Sequence, residues 1–371
     1  MLEILPNLDG LITGDAEAVG VRYIPPTRSH PPLRLFYPAK QPDTKQPCVR
    51  WFQDTPSAGM FLCGYLHVIG IKHGTWAFAI LSRFLRLVAY CLPLQYRSLP
   101  DTYAGIDMVT TENNPTKLPI VVFSHGLTGT TQENSLLCAA WARQGYMVAA
   151  VHHADGSSAC VPQADGSTLW YQHGPSYKNY DATFRPKQID KRARDMNEAV
   201  DYLRQTYPDQ CDFDKIVAAG FSYGAATAAF VAVQDDSPFQ AGLILLDGWF
   251  YLDISESAGI EFEFPALAFE RLDKIHSIPT IIINSAVFEG YPKLNKATNR
   301  LAGNVHERHI IPGTQHNNFC ELCFWLPSSL MTFATILGGP VDIGAIGAGN
   351  PKEIYQDIIG RTSQFLREAF K

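Results

Sequence analysis

From Leu118 onward the chain alternates short, nearly uninterrupted apolar runs with longer stretches of helical period. Pro119-Ile120-Val121-Val122-Phe123-Ser124, Tyr146 to Val151, Ile216 to Ala219, Gly242 to Leu246 and Pro279 to Asn284 are such runs, and the more polar Val305 to Ile311 reads as a further strand. Runs of this kind suit strands covered on both faces. Lys187 to Arg204 places Ile189, Ala193, Met196, Val200 and Leu203 at helical spacing with charges opposite, which predicts an amphipathic crossover helix. A further helix is predicted from about Pro351 to Phe370. Alternating β and α elements imply the α/β class, a mostly parallel central sheet flanked by helices.

Before Leu118 the pattern changes. Gly20 to Tyr23 and Leu33 to Phe36 read as two antiparallel edge strands around a proline-rich turn, residues 37–56 as loop, and the region near 60–92 as an apolar helical stretch. Between Val151 and Lys187, Ala154-Asp155-Gly156-Ser157 and Ala164-Asp165-Gly166-Ser167 mark a hairpin excursion. The expectation is one domain, with 1–117 supplying edge strands and a surface helix and 118–371 the alternating core.

Composition narrows the class. A chain of 371 residues with 46% apolar content can bury a large core, and a net charge of −6 without a Lys/Arg block argues against a nucleic-acid partner. Met1-Leu2-Glu3-Ile4-Leu5-Pro6 lacks the basic start of a secretory signal, and Leu2 stands where N-myristoylation needs glycine. Asn114 is followed by proline, so it makes no glycosylation sequon, and the eight cysteines sit among apolar neighbours like reduced thiols. A cytoplasmic protein, peripheral on membranes at most, is expected; the oligomeric state is left open.

The chemistry concentrates at Gly220-Phe221-Ser222-Tyr223-Gly224, between the strand ending at Ala219 and a small-residue helix, Ala225 to Val233. This is the context of a G-x-S-x-G nucleophile elbow, whose serine sits on a strained turn above the sheet edge. A serine hydroxyl needs a histidine base and an orienting carboxylate. In α/β-hydrolases these follow in the order Ser, Asp or Glu, His. Asp247 ends the run Gly242 to Leu246 and fits the second place, a plain turn aspartate before Gly248 being the alternative. His276, His306, His309 and His316 compete for the third. Only His316 lies in the loop just past the last strand, after Pro312-Gly313-Thr314. Two backbone amides, of Tyr223 and of Leu127 in His125-Gly126-Leu127-Thr128-Gly129, are the candidates for an oxyanion site. His125 reads as a packing histidine.

Phe123-Ser124-His125-Gly126-Leu127, Val148 to His153, the elbow, Leu246-Asp247-Gly248-Trp249, Ile283-Asn284-Ser285 and Gly313 to Phe319 together resemble the plasma and type II platelet-activating factor acetylhydrolases. The similarity extends, more weakly, from about Gly20 to the C-terminus. It implies an α/β-hydrolase fold and calcium-independent removal of short or oxidised sn-2 acyl chains from phospholipids. It assigns Ser222 as nucleophile, Asp247 as its acid partner, His316 as base, and Leu127 and Tyr223 as oxyanion donors, with no cofactor. Phe221 and Tyr223 depart from the His and Phe usual beside that serine, and Asp253 to Phe264 is longer than expected.

Thr75 to Cys91 carries Thr75, Ser82, Arg83 and Arg86 on one narrow helical face and apolar residues around the rest. That pattern suits either a helix lying in a bilayer interface or a core helix with an exposed arginine edge. The resemblance favours the interface, with Trp76, Leu81, Phe84, Leu85 and Val88 among the lipid-facing residues. His316, Cys320 and Cys323 have ligand-like spacing but lack the further partners of a zinc site, so no metal is expected. Two other functions remain open at this point: a carboxylesterase or dienelactone-hydrolase-like enzyme on small soluble esters, and a catalytically silent lipid-binding protein of the same fold.

Overall fold

A computed structural model describes residues 6–371 apart from 55, 92–95, 110–116, 175–180, 256–259, 304–306, 326–345 and 348. The first five residues, Val305 and His306 therefore lie outside the described residues. The strands are β1 (Ala18–Ile24), β2 (Leu33–Ala39), β3 (Thr102–Ala104), β4 (Leu118–Ser124), β5 (Met147–Val151), β6 (Cys160–Pro162), β7 (Thr168–Trp170), β8 (Cys211–Phe221), β9 (Gly242–Leu246), β10 (Tyr251–Ser255), β11 (Ile260–Glu263), β12 (Thr280–Ser285) and β13 (Glu307–Ile311).

Nine of them form one sheet in the order β13-β12-β9-β8-β4-β5-β2-β1-β3. From β13 to β5 every neighbouring pair is parallel. β2 then joins β5 antiparallel and pairs antiparallel with β1, the edge hairpin expected from the proline-rich turn. Alternate residues of the parallel strands feed two separate apolar layers. Val121, Phe123, Val217, Ala219, Ile244, Leu246, Ile281 and Ile283 enter one, packed by helix α3 (Ser135–Arg143) and the C-terminal helix Pro351–Ala369. Ile120, Val122, Ile216, Ala218, Leu243, Leu245 and Ile282 enter the other, packed by α4 (Phe184–Thr206) and α5 (Tyr223–Ala232). Burial on both faces is why these strands read as continuous apolar runs.

Two small hairpins, β6–β7 and β10–β11, decorate the core. The second falls in the segment that looked long in the sequence.

The apolar stretch near 60–92 is two helices, α1 (Ala58–Val68) and α2 (Trp76–Cys91), broken by a turn that holds Gly70 at φ 88° and Gly74 at φ 87°. Here the sequence-based wheel is corrected. Phe78, Ser82 and Ala89 form the buried stripe of α2, and Leu81, Leu85 and Val88 are half-buried. Leu81 and Leu85 pack on a cluster of Cys63, Leu66 and Phe78. The small Ser82 lets α1 come close, with the Cys63 thiol donating to Ser82 O at 3.6 Å, so it faces inward instead of joining the arginines. The residues presented outward are Trp76, Ile80, Phe84 and Leu87, with Arg83 and Arg86 beside them. Among the described residues no helix is long and apolar enough to cross a membrane.

Candidate active site

β8 ends at Phe221 and α5 begins at Tyr223, so Ser222 makes the whole turn, at φ 57° and ψ −119°. A Cβ on Gly220 would sit 2.2 Å from Gly224 O, and one on Gly224 would sit 1.9 Å from Ser124 O. Only glycine fits where strand and helix meet this closely. The Ser222 N–H donates to Leu246 O at 2.9 Å and ties the turn to β9. Three of the five described non-glycine residues at positive φ, Thr128, Ser222 and Asp247, surround this point. Strain of that kind, costing on the order of 1–3 kcal/mol per residue, clusters where geometry serves a function.

Asp247 follows β9 and is fully buried. Its Oδ1 accepts the Ser285 N–H at 2.7 Å, and its Oδ2 accepts the Ser285 hydroxyl at 2.9 Å and His316 Nδ1 at 2.6 Å. With Nδ1 donating to the carboxylate, Nε2 of His316 presents a lone pair to the Ser222 hydroxyl, 2.9 Å away. The ring is held between Phe288, stacked at 4.4 Å and 11°, and Phe221 at 4.7 Å. Its loop is pinned as well: Asn318 Oδ1 accepts the Gln315 and Gly347 amides, both at 2.8 Å.

The loop after β4 lies against the elbow. A Cβ on Gly126 would be 3.2 Å from the Phe221 ring and 3.4 Å from Ser222 Cβ, and Leu127 comes next. Thr128, at φ 62°, donates its N–H to Ser157 O at 2.7 Å. Tyr223 is the first residue of α5, so its amide is one of the donors a helix leaves unpaired. Among the described residues neither the Leu127 nor the Tyr223 amide has an acceptor within the protein.

The structure thus brings Ser222, Asp247, His316, Leu127 and Tyr223 into one place. His309 is engaged elsewhere, with Glu307 and Arg361, and His276 meets Arg300 O. Cys320 and Cys323 are buried thiols donating to Asn317 O and Cys320 O, both at 3.5 Å. Burial pushes both thiols up, away from the thiolate form that binds metal. Among the described residues no three His, Cys, Asp or Glu side chains are grouped to hold a metal ion.

Several site residues escaped the sequence reading. Ser285 ends β12 and Phe288 lies in the one-turn helix Ala286–Glu289 after it; Ser285 falls in one of the family-like motifs, but nothing local marks either as a partner of Asp247 or His316. Arg192 and Asp195 are buried on α4, contrary to the expectation that its charges all face outward. Both occupy the stripe of Ile189, Ala193 and Met196, a signal that was readable.

The sequence model described as Platelet-activating factor acetylhydrolase, isoform II, matches residues 26–210 and 201–345. The dog platelet-activating factor acetylhydrolase is 26% identical over 254 residues, 61% of this chain and 53% of that protein. The guinea pig protein of the same name is 23% identical over 363 residues, 89% of this chain and 70% of that one. The chain therefore spans about half the length of the dog relative in the matched region. A ferulic acid esterase from Streptomyces cinnamoneus superposes with a TM-score of 0.59 at 17% identity, covering 96% of this chain and 92% of that structure. The fold is that of the α/β-hydrolases, and the chain belongs to the platelet-activating factor acetylhydrolase isoform II family.

Proposed function

We propose that this chain is a calcium-independent serine esterase that hydrolyses the short or oxidised sn-2 acyl ester of phospholipids. The observation that carries the reading is the unbroken line from Asp247 through His316 to Ser222, at 2.6 and 2.9 Å. Ser222 Oγ attacks the ester carbonyl carbon while its proton passes to His316 Nε2, and the carbonyl π electrons move onto oxygen. The Leu127 and Tyr223 amides receive that oxyanion. Collapse breaks the bond to the lysophospholipid oxygen, which takes the proton from His316 and leaves an acyl-Ser222. Water, deprotonated by the same imidazole, then releases the carboxylic acid. Asp247 holds the tautomer and stabilises the imidazolium, and Ser285 fixes Asp247.

Charge stabilisation comes from amides and proton transfer from histidine, so the scheme contains no metal step. The outward face of α2 is proposed to meet the lipid surface: Trp76 is 78% and Phe84 59% exposed, beside two arginines suited to phosphate headgroups.

The test is a panel of phosphatidylcholines differing only in the sn-2 chain, assayed with and without chelator beside a soluble nitrophenyl ester. Turnover of acetyl and oxidised chains, at least about a hundredfold above palmitoyl and unchanged by chelation, is expected. A calcium requirement, or activity confined to the soluble ester, contradicts the proposal.

A further inference from the structure

Arg192 is a fully buried guanidinium near the middle of α4, and all three of its nitrogens are used. Its Nε donates to Ser157 Oγ at 3.0 Å and faces the Asp155 carboxylate at 3.6 Å. Nη1 donates to Thr227 Oγ1 at 3.3 Å, and Nη2 to His125 O at 2.8 Å and Gly126 O at 3.4 Å. Its plane also lies under the Tyr223 ring, 4.6 Å from the centroid.

These contacts converge on the peptide that precedes Leu127 and on the Tyr223 ring. Gly126 C=O and Leu127 N–H belong to one trans peptide, so they point in opposite directions. The Gly126 oxygen accepts from Arg192, from His125 Nδ1 at 2.7 Å and from the Gly129 N–H at 3.2 Å. His125 Nε2 accepts the His153 N–H at 3.2 Å, which assigns the His125 proton to Nδ1 and makes that nitrogen the donor. The 3.1 Å approach of Arg192 Nη2 to His125 Nδ1 is then a contact between two donors sharing one oxygen. With its oxygen held toward Arg192, this peptide directs the Leu127 N–H the other way, and donors on the carbonyl strengthen that N–H. The second amide, Tyr223 N–H, shares its peptide with the Ser222 oxygen, which accepts the Trp249 N–H at 3.1 Å, and Arg192 touches this residue only through the Tyr223 ring resting on the guanidinium.

We propose that Arg192 is the positioning residue that sets the Leu127 amide of the oxyanion site and braces the Tyr223 side chain beside it. It fixes Leu127 through the Gly126 oxygen and supports Tyr223 through its ring. This rests on the esterase reading above, in which the Leu127 and Tyr223 amides receive the oxyanion. The fork geometry matters as much as the charge, because a lysine has one nitrogen where three separate directions are needed.

The experiment compares wild type, Arg192→Met and Arg192→Lys, with Arg192→Lys keeping Asp155 paired in case the methionine variant does not fold. For each, kcat and KM for a soluble nitrophenyl ester are measured with the inhibition constant of a trifluoromethyl ketone, which forms a tetrahedral oxyanion on the serine. Ser222 labelling by a fluorophosphonate in the wild type is read first, and its absence means that the esterase reading itself has failed. With labelling present, the expected result is a kcat loss of about 10²-fold in the methionine variant, the worth of one oxyanion donor. KM should move less than about threefold, the ketone should weaken in step with kcat, and the lysine variant should fall between. A folded variant with near-wild-type kcat overturns the proposal. So does a ketone constant that tracks KM instead of kcat, or loss of fold in both variants, which marks Arg192 as purely structural.

Discussion

Nothing in the neighbourhood of a serine makes its hydroxyl nucleophilic at neutral pH unless a base lies within hydrogen-bond reach, and at Ser222 that base is a single side chain. His316→Gln is therefore expected to lower kcat by more than about 10³-fold, whereas His309→Gln, which disturbs only an ion-pair group on β13, should leave kcat within about threefold. Equal losses in the two variants, measured on a soluble ester, would contradict the assignment. Ser222, Asp247 and His316 were readable because each carries a local mark: flanking glycines, the end of an apolar run, the loop past the last strand. Ser285 and Phe288 were not, since their role exists only once β12 is laid beside β9. Another buried residue contributes to the pH response. Glu133 is buried against Thr130 N–H and the Tyr65 hydroxyl, with Glu321 and the Cys160 and Cys320 thiols nearby. Burial, the dominant cause, raises its carboxyl to about 8. A carboxyl raised in the folded state binds its proton more tightly folded than unfolded. Its stabilising effect is complete below the ordinary carboxylate range and is lost as pH rises toward 8. Thermal melts should therefore show stability falling from about pH 5 to 8, by on the order of a few kcal/mol from this group. Glu321, buried likewise and raised to about 8, acts in the same direction, so Glu133→Gln should reduce that slope without abolishing it, and an unchanged slope in the variant would remove Glu133 as a source.

Helices and strands decide where those residues can act. The meeting of β8 and α5 leaves no room at Gly224, where an added methyl would overlap Ser124 O. Gly224→Ala is expected to destabilise the protein by roughly 3 kcal/mol or more, read as a lowered denaturation midpoint. An alanine variant as stable as wild type would mean that the elbow is more open than described. The crossover helix shows what periodicity leaves out. Its apolar stripe predicted α4, but the same stripe admits Arg192 and Asp195, because hydrogen-bond partners on other elements satisfy them and a period records only apolarity. α2 shows the complementary limit. With apolar residues on most of its circumference, only its packing partner reveals which stripe faces in. The corrected stripe predicts that Trp76→Asp with Phe84→Asp weakens binding to phosphatidylcholine vesicles by about a hundredfold or more, each side chain contributing ~1.5–3 kcal/mol when buried. Hydrolysis of a soluble ester should be nearly unchanged. Loss of both activities with a lower melting temperature would instead place these residues in the fold's own packing.

At the scale of the whole molecule, residues far apart in sequence meet because of the sheet's strand order. β4 lies between β5 and β8, so the chain leaves β4 to one side and returns on the other. Loops at the carboxyl ends of such neighbours diverge and open a crevice, the usual ligand position in open α/β sheets. Leu127 follows β4, Ser222 follows β8, Asp247 follows β9 and His316 follows β13, all at that same edge. The parallel sheet was legible from apolar runs between helical stretches. Its order was not, because a run of isoleucines says that it is buried without saying beside which strand. The central claim is that this edge activates one serine, and the most direct measurement is intact-mass and peptide analysis after brief exposure to a fluorophosphonate. The account predicts a single adduct on Ser222, abolished in Ser222→Ala and slowed at least about a hundredfold in His316→Gln. An adduct on another residue, or full esterase activity in Ser222→Ala, would contradict it.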